Sequence, residues 1–547
     1  MPKKLKSVQV SSISAVFVLA VCGCSYDYKF YTQTSSARTS ELWGVNGELW
    51  SPSSRLPDYS FAGYRSGEKS IPTPAIVANV KDFGATSNDD SDDSAAFRNA
   101  LASASSGAVF VPNGTYRINT PVTINKSNVV LRGESQSGVI IVGGPVPGDC
   151  SRNNDPPHCA PYGGIALIQI VGTVGGSKVT SVSSNASRGS RTLHVSSASS
   201  LSPGQFVRLR MTNPPDNSLG CHLYMNAGCL NAERRQWYGG SIIDWVVQIE
   251  GISGNTITLV RPLRIDLRTN WSPEIWSFSP SVQDSGIENM TIQFTGTPFT
   301  GGTNQGEYGI YIGSAYNNWV RNVTIVDADR GVEIGGGYNT ISSVTLKTRL
   351  RQPVTNSYGD ITGHYGFAAS GPRAQDNLFI NGNIETAFGS NMSVGSFANG
   401  NVYSKMSSKI ANLDHHAGAP YENLYTEISL QDGQGLFRSG GNRADEPNGT
   451  RTTVWNLIYD GSSSLGISQV NLPQANIIGV KGIAASKPTQ TCVDWWVEPW
   501  LGSQTLPPNL HEAQFQRRKN LGFPVPALTT TCSSSSRFSE TPLKEGP

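Results

Sequence analysis

The sequence predicts an all-β protein in which one long body is built from stacked coils. Composition is the first of three observations behind this. Of 547 residues, 58 are Gly and 32 Pro while charged residues make up only 15%, the profile of many short strands and turns rather than of helices. Recurrence is the second. Short alternating strands, usually entered by an Asn and left by a Gly or polar turn, return at roughly 20–35 residue intervals, as in "SGIENMTIQFTG", "NNWVRNVTIVDADRGVEIGG", "YNTISSVTLKT", "AQDNLFINGNIET" and "YENLYTEISL". Length is the third: a chain of this size otherwise divides into domains, whereas stacking coil on coil buries one continuous interior and lets turn asparagines form amide ladders.

Residues 1–24 read as an export signal. Lys3, Lys4 and Lys6 lead into an apolar run from Ile13 to Val21 that is too short to span a bilayer. The junction "VCGC" resembles a bacterial lipobox with Cys24 as the lipid-accepting residue, and an ordinary cleaved signal is the alternative. The protein is therefore expected to be secreted, or to be a cell-surface or outer-membrane lipoprotein of a bacterium that meets the membrane only through Cys24. Residues 25–75 are polar with scattered aromatics, a tether or strap. The coils open at 76–174: Asp92, Asp93 and Ser94 offer a helix N-cap, Ala96, Phe97, Ala100 and Leu101 repeat at helical spacing, and Gly107 stops the helix before the strand "AVFVPNGTYRI". Residues 175–275 read as a β-rich insertion of hairpins, 276–485 as the main coils, and 486–547 as a C-terminal cap and tail with a short helix.

The stretch "VKDFGATSNDDSDDSAAFRNAL" followed by "GAVFVPNGTYRI" resembles the start of the pectate-lyase superfamily domain found in rhamnogalacturonases, epimerases and related proteins, over about residues 80–140. The resemblance implies a single-stranded right-handed parallel β-helix of pectin-lyase-like type, opened by a capping helix, and a carbohydrate substrate. It does not choose among hydrolases, lyases, epimerases and non-catalytic spikes, which share this start.

Charge and cysteines narrow the partners. Lys+Arg number 42 and Asp+Glu 40, a net charge of +2, and no basic patch dominates, which argues against nucleic acid. Six cysteines follow the signal; an oxidising destination favours disulfides, and proximity favours Cys150–Cys159, Cys221–Cys229 and Cys492–Cys532 among the fifteen pairings.

Four places carry candidate chemistry. In "TIVDADRGVEI", a continued strand would point Asp327 and Asp329 the same way, about 6.6 Å apart, near the separation glycosidases use for an acid and a base. In "ANLDHHAGAP", an extended backbone puts Asp414 and His416 on one face and His415 on the other, so the carboxylate orients one imidazole while the second packs or contacts substrate. His364 in "DITGHYG" joins them if the coils stack in register. In "TLKTRLR", Lys347, Arg349 and Arg351 alternate onto one face suited to uronate or sulfate groups, and Trp319, Tyr338, Tyr358 and Tyr365 offer rings for sugar stacking. The resulting expectation is a polysaccharide-cleaving enzyme, glycoside hydrolysis preferred, with Asp327, Asp329, Asp414, His416 and His364 as catalytic residues, Lys347, Arg349, Arg351, Trp319, Tyr365 and His415 contacting substrate, and no cofactor. The rival enzyme reading is β-elimination of a uronate polymer by Lys347 or Arg349 with the Asp groups holding Ca²⁺. The rival of another class is a glycan-binding or adhesive β-helix.

Overall fold

The computed structural model describes residues 37–143, 165–225, 241–295, 307–356, 359–416, 418–433, 436–438, 449–461, 465–466, 472–484, 494–498 and 504–521. The signal segment with Cys24, Tyr358, and five of the six later cysteines lie outside them; Cys221 is disulfide-bonded.

A short helix α1 (Ser94–Ser103) buries Ala96, Phe97, Ala100 and Leu101 against the first coils. Two long parallel sheets then rise together. One has sixteen strands among the described residues and the other eight, and the chain alternates between them, making this a parallel β-helix. The coils that matter most below run through β1 (Gly286–Gln293), β2 (Tyr308–Gly313), β3 (Trp319–Val326), β4 (Arg330–Ile334), β5 (Thr340–Lys347), β6 (Gly363–Ser370), β7 (Phe388–Gly395) and β8 (Leu413–His416). Strands β1, β3 and β5 belong to the first sheet, and β2, β4, β6, β7 and β8 to the second. Registration is by like with like. Ile310, Val332, Phe367, Met392 and Leu413 succeed one another up the second sheet, all buried in one core, and alternation from them sends Glu333, Ser393, Asp414 and His416 to the outer face.

The turn asparagines do form a ladder. Asn318, Asn339, Asn377, Asn401 and Asn423 are fully buried, and each Nδ2–H donates to the Oδ1 of the next at 3.1, 3.0, 2.8 and 3.0 Å. The same Oδ1 atoms accept backbone N–H groups from the coil below. Each rung thus satisfies buried polar groups that would otherwise cost about 1–3 kcal/mol.

Residues of the N-terminal segment lie along the first sheet and cross coil after coil against the chain's direction of climb. Arg55 Nε bonds Asn476 Oδ1 at 2.8 Å, Tyr59 OH bonds Thr453 Oγ1 at 2.8 Å, Tyr64 N bonds Thr340 Oγ1 at 2.8 Å, and Arg65 Nε reaches Asp284 Oδ1 at 3.0 Å. Trp43, Trp50, Leu56 and Tyr59 bury against Val402, Leu424, Trp455 and Ile478. The C-terminal helix, expected to close the end of the solenoid, instead lies on this same flank: its Leu510 N donates to Thr426 Oγ1 at 3.0 Å and Gln514 Oε1 accepts from Tyr59 N at 2.8 Å. The apolar band beside the strap gives it a surface to dock on.

The insertion is a six-stranded antiparallel sheet drawn from residues 178–277, with a short helix α2 (Ser218–Leu223); the C-terminal helix is accordingly α3 (Leu510–Leu521). Its core includes Phe397, Ala419 and Tyr421 of the coils. Val246 is held by Gln375 and by the Tyr338 hydroxyl. Beneath it Glu422, fully buried, meets Arg188 at 2.9 Å and Arg451 at 2.7 Å. Burial alone would raise its pKa, but Arg188, Arg451 and Arg264 together hold it down at about 2.

Candidate functional site

The acid pair expected at Asp327 and Asp329 is not on the outer wall. Strand β3 ends at Val326, and Asp327 adopts φ 57°, in the left-handed region, so alternation stops there and the two carboxyls do not share a strand face. Both residues are buried, at 0% and 1% exposure. One Asp327 oxygen accepts the backbone N–H groups of Arg349, Leu350 and Arg351 at 2.7, 2.9 and 3.3 Å. That pins the turn after β5, which is structural work. Asp329 lies 3.8 Å from the Arg351 guanidinium, which also pairs with Glu307 and donates to Thr362 O at 3.0 Å.

The cationic stripe is corrected for the same reason. β5 ends at Lys347, and the turn separates the three cations. Lys347 stays exposed, Arg349 is half-exposed 3.7 Å from Asp327, and Arg351 is buried, its side chain 0% exposed. Burial pulls the Arg351 pKa down to about 10. Carboxylates already engaged by amides and guanidinium groups do not fit the oxygen-rich cage Ca²⁺ requires, and no cluster of three metal-ligating residues occurs among the described residues.

Three further expected substrate contacts are overturned. Trp319 is fully buried, with Nε1 donating to Glu288 Oε1 at 2.6 Å and its ring against Tyr64 of the strap, so it cannot stack on a sugar. Tyr338 is buried likewise. His415 points inward among Tyr425 and Phe437, with Nε2 3.2 Å from Thr452 Oγ1; burial depresses its pKa to about 4 and keeps it neutral.

The outer face of the second sheet does gather chemistry from separate coils. Asp414 and His416 are on one face of β8, as alternation requires, and His416 Nδ1 lies 2.9 Å from Asp414 Oδ2. The Tyr365 hydroxyl lies against the same ring, 2.9 Å from Nε2 and 3.3 Å from Nδ1. A carboxylate on Nδ1 fixes the tautomer with its proton on Nδ1 and leaves Nε2 as an acceptor for the phenol. The second Asp414 contact is Ser393, whose hydroxyl donates to the same Oδ2 at 2.9 Å from the next coil. Asp414 is buried while the His416 side chain is 38% exposed, so the anchor is dry and the imidazole wet. Gly395 stands in register beside His416, and that neighbour places no side chain over the ring.

Tyr365, buried at 9% exposure, reaches this wall because alternation breaks at Gly366 before inward Phe367, as it does at Gly331 between Arg330 and Val332, where a Cβ would face Leu346 of the core at 2.7 Å. A Cβ on Gly366 would fall 2.5 Å from Asn391 O, and one on Gly331 2.5 Å from Gly366 O. The glycines let successive coils approach and keep Arg330 and Tyr365 on one wall. The Arg330 guanidinium sits 4.9 Å over the Tyr365 ring and pairs with Glu333 at 2.9 Å; Glu333 also accepts from the Tyr308 hydroxyl at 3.1 Å. His364 stacks on Tyr365 at 4.3 Å, and burial, with Arg330 and His416 nearby, lowers its pKa to about 4. It is a neutral platform in this wall.

The wall therefore unites Asp414, His416, His364 and Tyr365, and adds Arg330, Glu333 and Ser393, which the sequence reading did not select. Alternation held a signal for Glu333, flanked in "GVEI" by inward Val332 and Ile334. Nothing in the sequence marked Ser393, whose relevance comes only from its neighbour one coil away. Two cavities lie elsewhere among the described residues: one of about 260 Å³ beside Asn383, Glu385, Ser407 and Lys409, the other of about 340 Å³ between strap and insertion.

Residues 77–223 match the family described as Rhamnogalacturonase A/epimerase, pectate lyase-like, a match that takes in the opening coils of the β-helix and the first part of the insertion. No curated protein matches the chain. Solved structures similar to it include the tailspike protein gp49 from Pseudomonas phage LKA1, at 12% identity over 75% of this chain and 83% of that one, TM-score 0.37. The Gp54 tailspike of Acinetobacter baumannii bacteriophage AP22, in complex with A. baumannii capsular saccharide, shares 10% identity over 76% and 78%, TM-score 0.30. The A-module of the Azotobacter vinelandii mannuronan C-5 epimerase AlgE4 shares 10% identity over 79% and 100%, TM-score 0.28.

Proposed function

We propose that this pectate lyase-like β-helix is a carbohydrate-active enzyme that breaks a uronate-containing polysaccharide by β-elimination at the outer wall of its second sheet. One observation carries the reading: Asp414, His416 and the Tyr365 hydroxyl form one contact cluster, with Asp414 Oδ2 2.9 Å from His416 Nδ1 and the hydroxyl 2.9 Å from Nε2 and 3.3 Å from Nδ1. Such a cluster moves a proton between phenol and imidazole. His416 Nε2 accepts the phenol proton, and the freed phenolate removes the proton α to the uronate carboxyl. The electron pair left behind forms the C4–C5 double bond as the C4–O bond breaks, and the departing oxygen takes a proton back from the imidazolium. Arg330 over the ring stabilises charge developing on the phenol oxygen, and Asp414 stabilises the imidazolium.

Glycoside hydrolysis, preferred on the sequence alone, loses support because its acid pair is occupied and buried. Lys347 and Arg349 as bases lose it to the wall, where the connected groups are. Export, with or without a lipid on Cys24, remains part of the proposal, since a polysaccharide of this kind is met outside the cell. The test is incubation with uronate polymers, reading ultraviolet absorbance of unsaturated uronate beside reducing ends. The expected result is both signals, lost together in His416→Ala. Reducing ends without absorbance would return the reading to hydrolysis, and binding without any product would leave the glycan-binding alternative.

A further inference from the structure

The cavity of about 340 Å³ lies where three parts of the fold converge: the strap at Phe61, Arg65 and Lys69, the insertion at Phe206, Val246 and Arg261, and the coil corner at Tyr316 and Tyr338. It shares no residue with the wall. Its size is at the low end of the roughly 300–1,000 Å³ typical of small-molecule sites, enough for one sugar unit rather than a chain.

Two features define what would bind. Flat rings line it: Phe206 is 42% exposed, and the half-buried Phe278 packs edge-on to Tyr316 at 4.9 Å. Aromatic faces of this kind take the apolar C–H face of a pyranose. The other feature is charge. Arg65, Lys69, Arg261 and Arg518 line the cavity against a single lining carboxylate, Glu68. The arginines are held in place: Arg65 by Asp284, Arg261 by Asp376 at 2.9 Å, and Arg518 by Glu68. Arg261 and Arg518 also sandwich the Phe61 ring, at 4.3 and 4.2 Å. Paired in this way the arginines add no net charge and serve as fixed N–H donors, while exposed Lys69 supplies the positive charge that a ligand carboxylate would meet.

We infer that this cavity is a second saccharide site, taking a single acidic sugar with its ring on Phe206 and its carboxylate toward the cationic lining. The site goes beyond the proposed reaction and stands independently of it. It holds a glycan by one unit while the wall is elsewhere on the same chain.

Hydrogen exchange read by mass spectrometry tests it, with galacturonate, glucuronate and mannuronate as probes at tens of millimolar and their methyl esters as neutral controls. Amides in residues 61–69 and 244–248 are expected to exchange several-fold more slowly with at least one uronate. Phe206→Ala combined with Lys69→Gln, both exposed positions, should abolish that protection and leave product formation by the wall unchanged. His416→Ala should keep the protection, which separates failure of the wall from failure of this site. Protection by no uronate, protection confined to 363–370 and 412–416, equal protection by the methyl esters, or protection surviving the double substitution would overturn the inference.

Discussion

Two neighbouring regions of the coils hold the same residue types and do opposite things with them. In the corner after β3, Asp327, Asp329, Glu307 and Arg351 are buried, and the charges there are consumed by backbone amides and by one another. On the wall, Asp414 is equally buried but acts on an imidazole that stays open to solvent. The difference is connectivity rather than composition. A carboxylate whose acceptors are taken up by N–H groups holds a turn, whereas one that ends on a half-exposed titratable group passes its influence outward.

The largest effect that sharpens this contrast is expected from His416→Ala, which should lower turnover about 10³-fold, within the range for removing a general acid–base group, with little change in melting temperature. Arg351→Met should do the reverse. It leaves Glu307 and Asp329 without their buried cation and should cost about 3–5 kcal/mol in denaturant unfolding, any loss of activity following from unfolding. Tyr365→Phe keeps the stack on His364 and the Arg330 contact but removes the hydroxyl, and turnover should fall about 10²-fold. Asp327→Ala strands the amides of Arg349, Leu350 and Arg351 and should cost about 2 kcal/mol; if it instead abolished turnover in a fully folded protein, the contrast between corner and wall would collapse.

A further effect is on pH. His364, His415 and His511 all have folded pKa values of about 4, below their ordinary value of about 6.5. The folded state thus binds fewer protons than the unfolded chain between these limits. Stability from these groups is complete above pH 6.5 and is lost as pH falls toward 4. Glu422, held at about 2, contributes its share lower down, between about 4.5 and 2. Unfolding midpoints measured across pH 4–7 should therefore fall toward the acid end, and His415→Gln should flatten that slope.

Much of the fold is legible because alternation and turn residues are local facts. The inward series Ile310, Val332 and Phe367 and the laddered asparagines each announce themselves within a few residues. Asp414 and His416 are legible for the same reason, since β8 is extended through both. The expectation for Asp327 and Asp329 fails because a strand pattern does not carry past a corner where φ is positive. Ser393 and Tyr365 meet the site only through the neighbouring coils, a relation set by stacking and by glycines that let backbones close.

The strap has a consequence for how the molecule comes apart. In a solenoid whose units touch only their neighbours, the ends can fray while the middle persists. Here a single extended segment is riveted at Asn476, Thr453, Thr340 and Asp284, so the uppermost turns cannot peel away without tugging on the lowest. Loss of order should propagate as one event along the spine, and the wall, lying between those rivets, keeps its alignment until the whole column gives way.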